Sequence, residues 1–311
     1  MSRLERALLT EKPMKPENQP LRTPPRTVVK SIMGKSLITV EPDATLAVAD
    51  LAMMFAHSRH VPVTKDGRLL GILSLRDVLA AQLSSLRSSA EERRQKARSI
   101  LVRDVMKSNP YVVDLEDDVI KAAHLCHRHH FSSIPVVRRG ELVGIVTTSD
   151  LVEHTLGLLS TEAAEIGVIP MVSRLMTPSP IATLFENDHL DLAGVLMRSG
   201  AFRHLPVMNG EHLVGIVSDR DILSALTSSM EHVTAAERLW EKASIKAGDV
   251  MTRSPHTISP DKAAIEAGRK LLRKKIGALP VLRTGKLIGM LTEMDFLSYL
   301  MASGPIQVAS V

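Results

Sequence analysis

The chain has 311 residues, 44% hydrophobic and 23% charged, which excludes a disordered polymer and fits a protein with a packed core. No apolar run reaches the roughly 18 residues of a membrane span. The lone cysteine, Cys126, excludes an internal disulfide and suits a reducing compartment, so the cytoplasm is the expected location. A net charge of +5 favours an anionic partner of some kind, and an aromatic content of 3% argues against widespread stacking platforms for single-stranded nucleic acid.

In chain order, residues 1–27 are polar and Pro-rich and lack the apolar middle of a secretory signal, so they read as a flexible tail. From residue 28 onward one unit recurs four times, over 28–82, 100–156, 170–227 and 245–301, leaving a short tail at 302–311. Each unit opens on a Met (Met33, Met106, Met176, Met251) and passes through an apolar–Pro–apolar step at Pro62, Pro135, Pro206 and Pro280. Each then closes on Asp77, Asp150, Asp221 or Asp295. Every one of these prolines lies 15 residues before its Asp, and successive Asp residues are 73, 71 and 74 apart. Gly71, Gly144, Gly215 and Gly289 each precede the Ser or Thr of a Ser/Thr-x-x-Asp by three.

Within a unit the pattern predicts β-α-β-β-α, an α/β (α+β) fold. In the third copy Leu192, Val195 and Leu196 share a helical face and Gly200 is a helix stop. Pro206 starts a strand, Asn209-Gly210 is a hairpin turn, and Ser218 caps the last helix. Asp66-Gly67, Arg139-Gly140 and Thr284-Gly285 mark the same hairpin elsewhere. A unit of this size buries too little surface alone, so copy 1 is expected to pack with copy 2 and copy 3 with copy 4. The connectors at 80–99, 152–170 and 224–244 read as helices, because loops of that length are uncommon.

The segments HVPVTKDGRLLGILSLRD, SIPVVRRGELVGIVTTSD, HLPVMNGEHLVGIVSDRD and ALPVLRTGKLIGMLTEMD resemble the CBS domain, named for cystathionine β-synthase. Its tandem pairs are called Bateman modules. The likeness extends over nearly all of residues 28–301, and the four-copy layout is similar to the gamma subunits of AMP-activated protein kinase. It implies two Bateman modules that bind adenine nucleotides (AMP, ADP or ATP) as regulatory ligands in clefts between paired copies. S-adenosylmethionine and cyclic di-AMP are alternative ligands.

By that resemblance the ribose diol is held by Asp77, Asp150, Asp221 and Asp295, and ribose or phosphate by Ser74, Thr147, Ser218 and Thr292. Thr39, Val40, Val113, Thr183 and Thr257 match the adenine-side wall. The residues themselves add a second argument. A hydroxyl and free amides at a helix start favour an anion, and the chain uses Asp four times where a structural capping box prefers Glu or Gln. The capping reading stays open beside the ligand reading. Near this signature and the apolar–Pro step, basic groups cluster only in the odd copies: Arg59, His60 and Arg76 in the first, Arg203, His204 and Arg220 in the third. Guanidinium and imidazole groups suit phosphate, so phosphates are expected to face the odd copy of each pair.

Other clusters read as structural. HLCHRHH at 124–130 places His and Cys pairs at helical spacing, yet it aligns with a core helix, and no metal site is expected. Cys126 has no partner base for catalysis. EERRQKAR at 91–98 and the more basic RKLLRKK at 269–275 read as solvated helix faces. No catalytic residues and no catalytic cofactor are expected, since nothing outside the repeats is large enough for a catalytic domain. The expected role is a regulatory sensor that signals to a partner protein by altered packing, as a monomeric disc or a homodimer. The alternative is a nucleic-acid-associated protein using the basic tail and copy 4.

Overall fold

The computed structural model describes residues 26–56, 58–84, 100–200, 202–228 and 245–302. The expected tails lie outside these residues except for their inner ends. So do the charged run at 91–98 and most of two connectors, at 85–99 and 229–244.

Four hairpins form the frame: β1 (His60–Lys65) with β2 (Arg68–Ser74), β5 (Ser133–Arg138) with β6 (Glu141–Thr147), β9 (His204–Asn209) with β10 (His212–Ser218), and β12 (Ala278–Arg283) with β13 (Lys286–Thr292). The turn residues Asp66-Gly67, Arg139-Gly140 and Thr284-Gly285 all take positive φ, as a tight hairpin turn requires. One register irregularity recurs in each hairpin, at Val63/Thr64, Val136/Val137, Leu213/Gly215 and Val281/Leu282. Strand β2 meets β6 through Arg68–Glu141, and β10 meets β13 through His212–Lys286. Repeats 1 and 2 therefore share one sheet and repeats 3 and 4 the other, as the sequence suggested. Each sheet with its helices forms one module.

The first strand of each unit is short. It shrinks to β4 (Val113–Asp114) and β8 (Leu184–Phe185), each parallel to the hairpin, and to single bridges Val40–Val63 and Ile258–Val281. A second short strand was not foreseen: β3 (Lys107–Ser108), β7 (Thr177–Pro178) and β11 (Thr252–Arg253), each directly after the opening Met. These strands explain the repeat's most regular feature. β3 pairs with β2 of repeat 1, β7 with β13 of repeat 4, and β11 with β10 of repeat 3, while Gly34 bridges Ile145 of repeat 2. The opening segments are thus exchanged within each module. Val29 and Met33 pack into the core of repeat 2, Val102 and Met106 into that of repeat 1. A side chain on Gly71, Gly144 or Gly215 would overlap Met106, Met33 or Met251, and Gly289 stands against Thr177 and Met176.

Each repeat carries two main helices. They are α1 (Leu46–Phe55) and α2 (Leu75–Ser84), then α3 (Val119–His129) and α4 (Thr148–Ile166). After a short α5 (Val172–Leu175) come α6 (Leu190–Ser199) and α7 (Asp219–Ser228); after a short α8 (Ala247–Val250) come α9 (Ala264–Lys274) and α10 (Glu293–Ala302). Helix α3 is capped by Asp118, which accepts from the Ile120 amide at 2.8 Å, and buries Val119, Ala122, Ala123 and Cys126 on one face. Gly167, with φ 73°, terminates α4 within the 152–170 connector, most of which is helical as expected.

The modules meet unequally. Helix α10 packs on α3 and α4, and α9 packs on α4, merging repeats 2 and 4 into one apolar core around Leu151, Leu159, Leu271 and Phe296. Tyr299 donates across this seam to Glu162 Oε2 at 2.8 Å. Repeats 1 and 3 keep separate cores and touch through α2 and α7. No helix among the described residues is long and apolar enough to cross a membrane.

Candidate functional site

In every repeat the Ser or Thr that ends the hairpin and the Asp three residues on close a hydrogen-bonded box. Asp77 Oδ2 accepts from the Ser74 amide at 2.9 Å and from its hydroxyl at 2.5 Å. The Oδ2 atoms of Asp150, Asp221 and Asp295 take the same pair of donors from Thr147, Ser218 and Thr292 at 2.7–2.9 Å. The pattern is therefore a capping box made with Asp, and one carboxylate oxygen suffices for it. In Asp77, Asp150 and Asp221 the other oxygen has no hydrogen bond among the described residues, and the side chains are half-buried. Asp295 differs: it is buried, and Thr177 donates to its Oδ1 at 3.3 Å.

A cavity of about 580 Å³ lies between repeats 1 and 2, with Ser74 and Asp77 in its wall. Arg59 and His60 enter it from the head of β1, and Arg76 from the first turn of α2. Because α7 faces α2 across the module seam, Arg203, Asp219 and Arg220 of repeat 3 line the same cavity. The arginines of both odd repeats thus converge on one space together with His60, where the sequence suggested one cluster per pair; His204 is not in the cavity wall and packs against Gly277 instead. Arg76 makes an ion pair with Asp219.

A sequence profile of the CBS domain matches residues 29–84, 102–157, 172–228 and 247–302, well over half the chain. The chain belongs to the CBS domain family. A CBS domain-containing protein of Dictyostelium discoideum is 38% identical over 138 residues, 43% of this chain and 94% of that one. An uncharacterized protein of Methanocaldococcus jannaschii is 29% identical over 286 residues, 88% of this chain but 61% of the relative's length. Among solved structures, protein MJ1225 of the same archaeon superposes with a TM-score of 0.71 at 22% identity, covering 88% of this chain and all of that one. An uncharacterized conserved protein of Pyrococcus horikoshii follows with a TM-score of 0.58 at 23% identity, also over 88% of this chain and all of that one. At these identities the two structures speak for the fold.

Electrostatics mark the region where CBS repeats 1 and 3 meet. Burial, reinforced by Arg59 and Arg203, pushes the His60 imidazole down to about 4; burial with Arg59 and Arg203 does the same for His204, against the pull of Asp219. Both rings are neutral at pH 7. Burial and the neighbouring Arg76 guanidinium also lower Arg203. For Asp219 burial acts upward, but Arg76, Arg203 and His204 outweigh it and hold the carboxyl below its ordinary range. The even CBS copies are small where the odd ones are basic because they receive the imidazoles. Ser132 Oγ lies 3.3 Å from His60 Nδ1, and a Cβ on Gly277 would stand 2.8 Å from the His204 ring.

Three features escaped the sequence reading. Tyr111, His129 and Phe131 stack on one another at the cavity wall, with centroids 4.3–5.6 Å apart, although aromatics are scarce overall. Ser133, also in the wall, buries a hydroxyl with no hydrogen-bond partner among the described residues. Asp219, directly after Ser218, is the third, and it lines the cavity from repeat 3. Their sequence signals were faint: Tyr111 follows Asn109-Pro110, and the other two aromatic-cluster rings flank the end of α3.

The remaining expected residues lie elsewhere. Val40 and Val113 are core side chains, Thr183 and Thr257 are half-buried, and Thr39 is exposed. Thr257 accepts from Lys270 at its carbonyl, at 2.8 Å, which fixes one charge of the 269–275 run. Cys126 sits in the core, where burial pushes its thiol up to about 12. Among the described residues no group of three or more His, Cys, Asp or Glu side chains could hold a metal ion.

Proposed function

We propose that the chain is a regulatory sensor that binds an adenine nucleotide in the cleft between CBS copies 1 and 2. The observation that carries this reading is the pairing of Asp77 with the guanidinium cluster. Its Oδ2 is committed to Ser74, its Oδ1 has no such bond, and Arg59, Arg76, Arg203 and Arg220 line the same 580 Å³ cavity. That volume falls in the range of about 300–1,000 Å³ typical of small-molecule sites. A carboxylate oxygen accepts from a ribose diol, the guanidiniums take phosphate, and the face of Tyr111, 52% exposed, offers the base a stacking surface. The related protein MJ1225 is described as a candidate archaeal homologue of the gamma subunit of AMP-activated protein kinase, in keeping with this assignment. The ligand acts by favouring one packing of the modules over another, which a partner protein reads.

Of the four clefts, the fourth is the weakest candidate, since Asp295 is buried with both oxygens engaged. Calorimetry against AMP, ADP, ATP, S-adenosylmethionine and cyclic di-AMP tests the reading. Saturable binding of an adenine nucleotide, lost in Asp77→Ala, is the expected result. A chain that binds none of them, or binds duplex DNA in a strongly salt-dependent manner unaffected by Asp77→Ala, is not this sensor.

A further inference from the structure

The residue immediately after the Ser or Thr of each box is Leu75, Thr148, Asp219 and Glu293, and the next is Arg76, Ser149, Arg220 and Met294. These positions tie the two modules together. On one side Glu293 accepts from the Thr148 hydroxyl at 2.8 Å and the Ser149 hydroxyl at 2.9 Å. On the other side the equivalent residue, Asp219, holds Arg76. The two ties occupy matching places on pseudo-symmetric seams, but their surroundings differ. The Glu293 tie is backed by the continuous core of repeats 2 and 4, whereas the Asp219 tie spans a seam without a shared core and lies in the cavity wall.

Resting on the nucleotide reading above, we propose that Asp219 is an internal competitor for the anion site. It holds Arg76 until the phosphate chain of a bound nucleotide takes that guanidinium, so ligand entry breaks the tie between repeats 1 and 3 while the other seam stays closed. Asp77 and Asp219 are the two carboxylates of the cavity wall; the first is committed to Ser74, which leaves Asp219 facing the cationic cluster. Arg59, Arg203 and Arg220 have no ion-pair partner among the described residues. An arriving phosphate chain gathers them with Arg76 and repels the carboxylate beside it. Because the carboxylate opposes every anion that enters, Asp219 thereby favours the ligand with more charge to draw the guanidiniums, a polyphosphate over a single phosphate. It also couples occupancy to module packing through differential contacts, as a switch requires.

Calorimetric titration of the full chain with ATP tests this in four proteins: wild type, Asp219→Asn, Arg76→Ala and the double variant. Asp219→Thr, which installs the residue that repeat 2 carries, is a second probe should the Asn variant fold poorly. The expected result is that removing the carboxylate tightens ATP binding roughly five- to tenfold and that the gain vanishes when Arg76 is also Ala. An unchanged affinity, or a gain that persists without Arg76, overturns the competition. Absence of ATP binding to wild type and variants alike overturns the nucleotide reading itself, and this inference with it.

Discussion

The carbonyl oxygen of Thr177 lies 2.5 Å from the point where a Cβ on Gly289 would stand, so this backbone is packed against that glycine with no room for a side chain. Thr177 opens repeat 3 and Gly289 belongs to repeat 4, and the contact is one instance of the segment exchange that closes each module. The spacing of Gly to Ser/Thr recurs because each of these glycines receives the opening segment of its partner repeat.

Gly289→Ala is accordingly expected to destabilise the chain by about 1–3 kcal/mol, since a buried strand backbone must shift to relieve the overlap. Gly157→Ala is the contrast. Gly157 is exposed in the middle of α4 with nothing within 4 Å of its would-be Cβ. There the better helix former should stabilise by up to about 1 kcal/mol. Urea unfolding of the two variants checks both signs.

The four aspartates should separate by function. Asp295→Asn is expected to cost about 1–3 kcal/mol of stability, because a buried, doubly bonded carboxylate loses acceptor capacity, with little effect on nucleotide affinity. Asp77→Asn is expected to abolish ligand binding while changing the melting temperature of the unliganded chain much less. Denaturation and calorimetry on both variants give the comparison. Equal effects on both quantities would show that the boxes are interchangeable.

Arg203 and Arg220 belong to the module opposite the cleft they line. Replacing either by Ala should weaken nucleotide binding roughly tenfold, in line with the loss of a charge-assisted hydrogen bond. Arg273→Ala, exposed on α9, should leave it unchanged. Binding indifferent to Arg203 and Arg220 would confine the site to one module.

Acid should destabilise the unliganded chain through its two half-buried imidazoles. Unfolded histidine titrates near 6.5, whereas His60 and His204 are held down to about 4. Between those values the unfolded chain binds more protons, so the contribution of these groups is fully present above about pH 6.5 and is lost as the pH falls toward 4. The double variant His60→Gln/His204→Gln should flatten that slope in urea unfolding at pH 5 and pH 7.5. An unchanged slope would assign the acid sensitivity to other groups.

Much of this architecture was legible in the sequence. The Pro–Gly–Asp spacing located all four hairpins, because strand starts, tight turns and capped helices depend on local residue types. The pairing of repeats followed from the small size of each unit. Less legible was anything set by contacts between distant segments. Met33 and Gly144 are both conspicuous, yet nothing local says that one fills the space beside the other. The Thr148–Glu293 tie, the core shared by repeats 2 and 4, and the meeting of Arg76 with Arg203 arise only when the modules face each other. Tyr111 was hidden in a chain poor in aromatics, since its stack with His129 and Phe131 needs residues about 20 positions apart to meet.

Co-crystallisation with ATP, read at the first cleft, is the most direct measurement. The ribose hydroxyls should lie within hydrogen-bond distance of Asp77 Oδ1, with the phosphates against guanidiniums drawn from repeats 1 and 3. Density for the nucleotide elsewhere, or a ribose turned away from Asp77 with phosphates in solvent, would contradict the assignment.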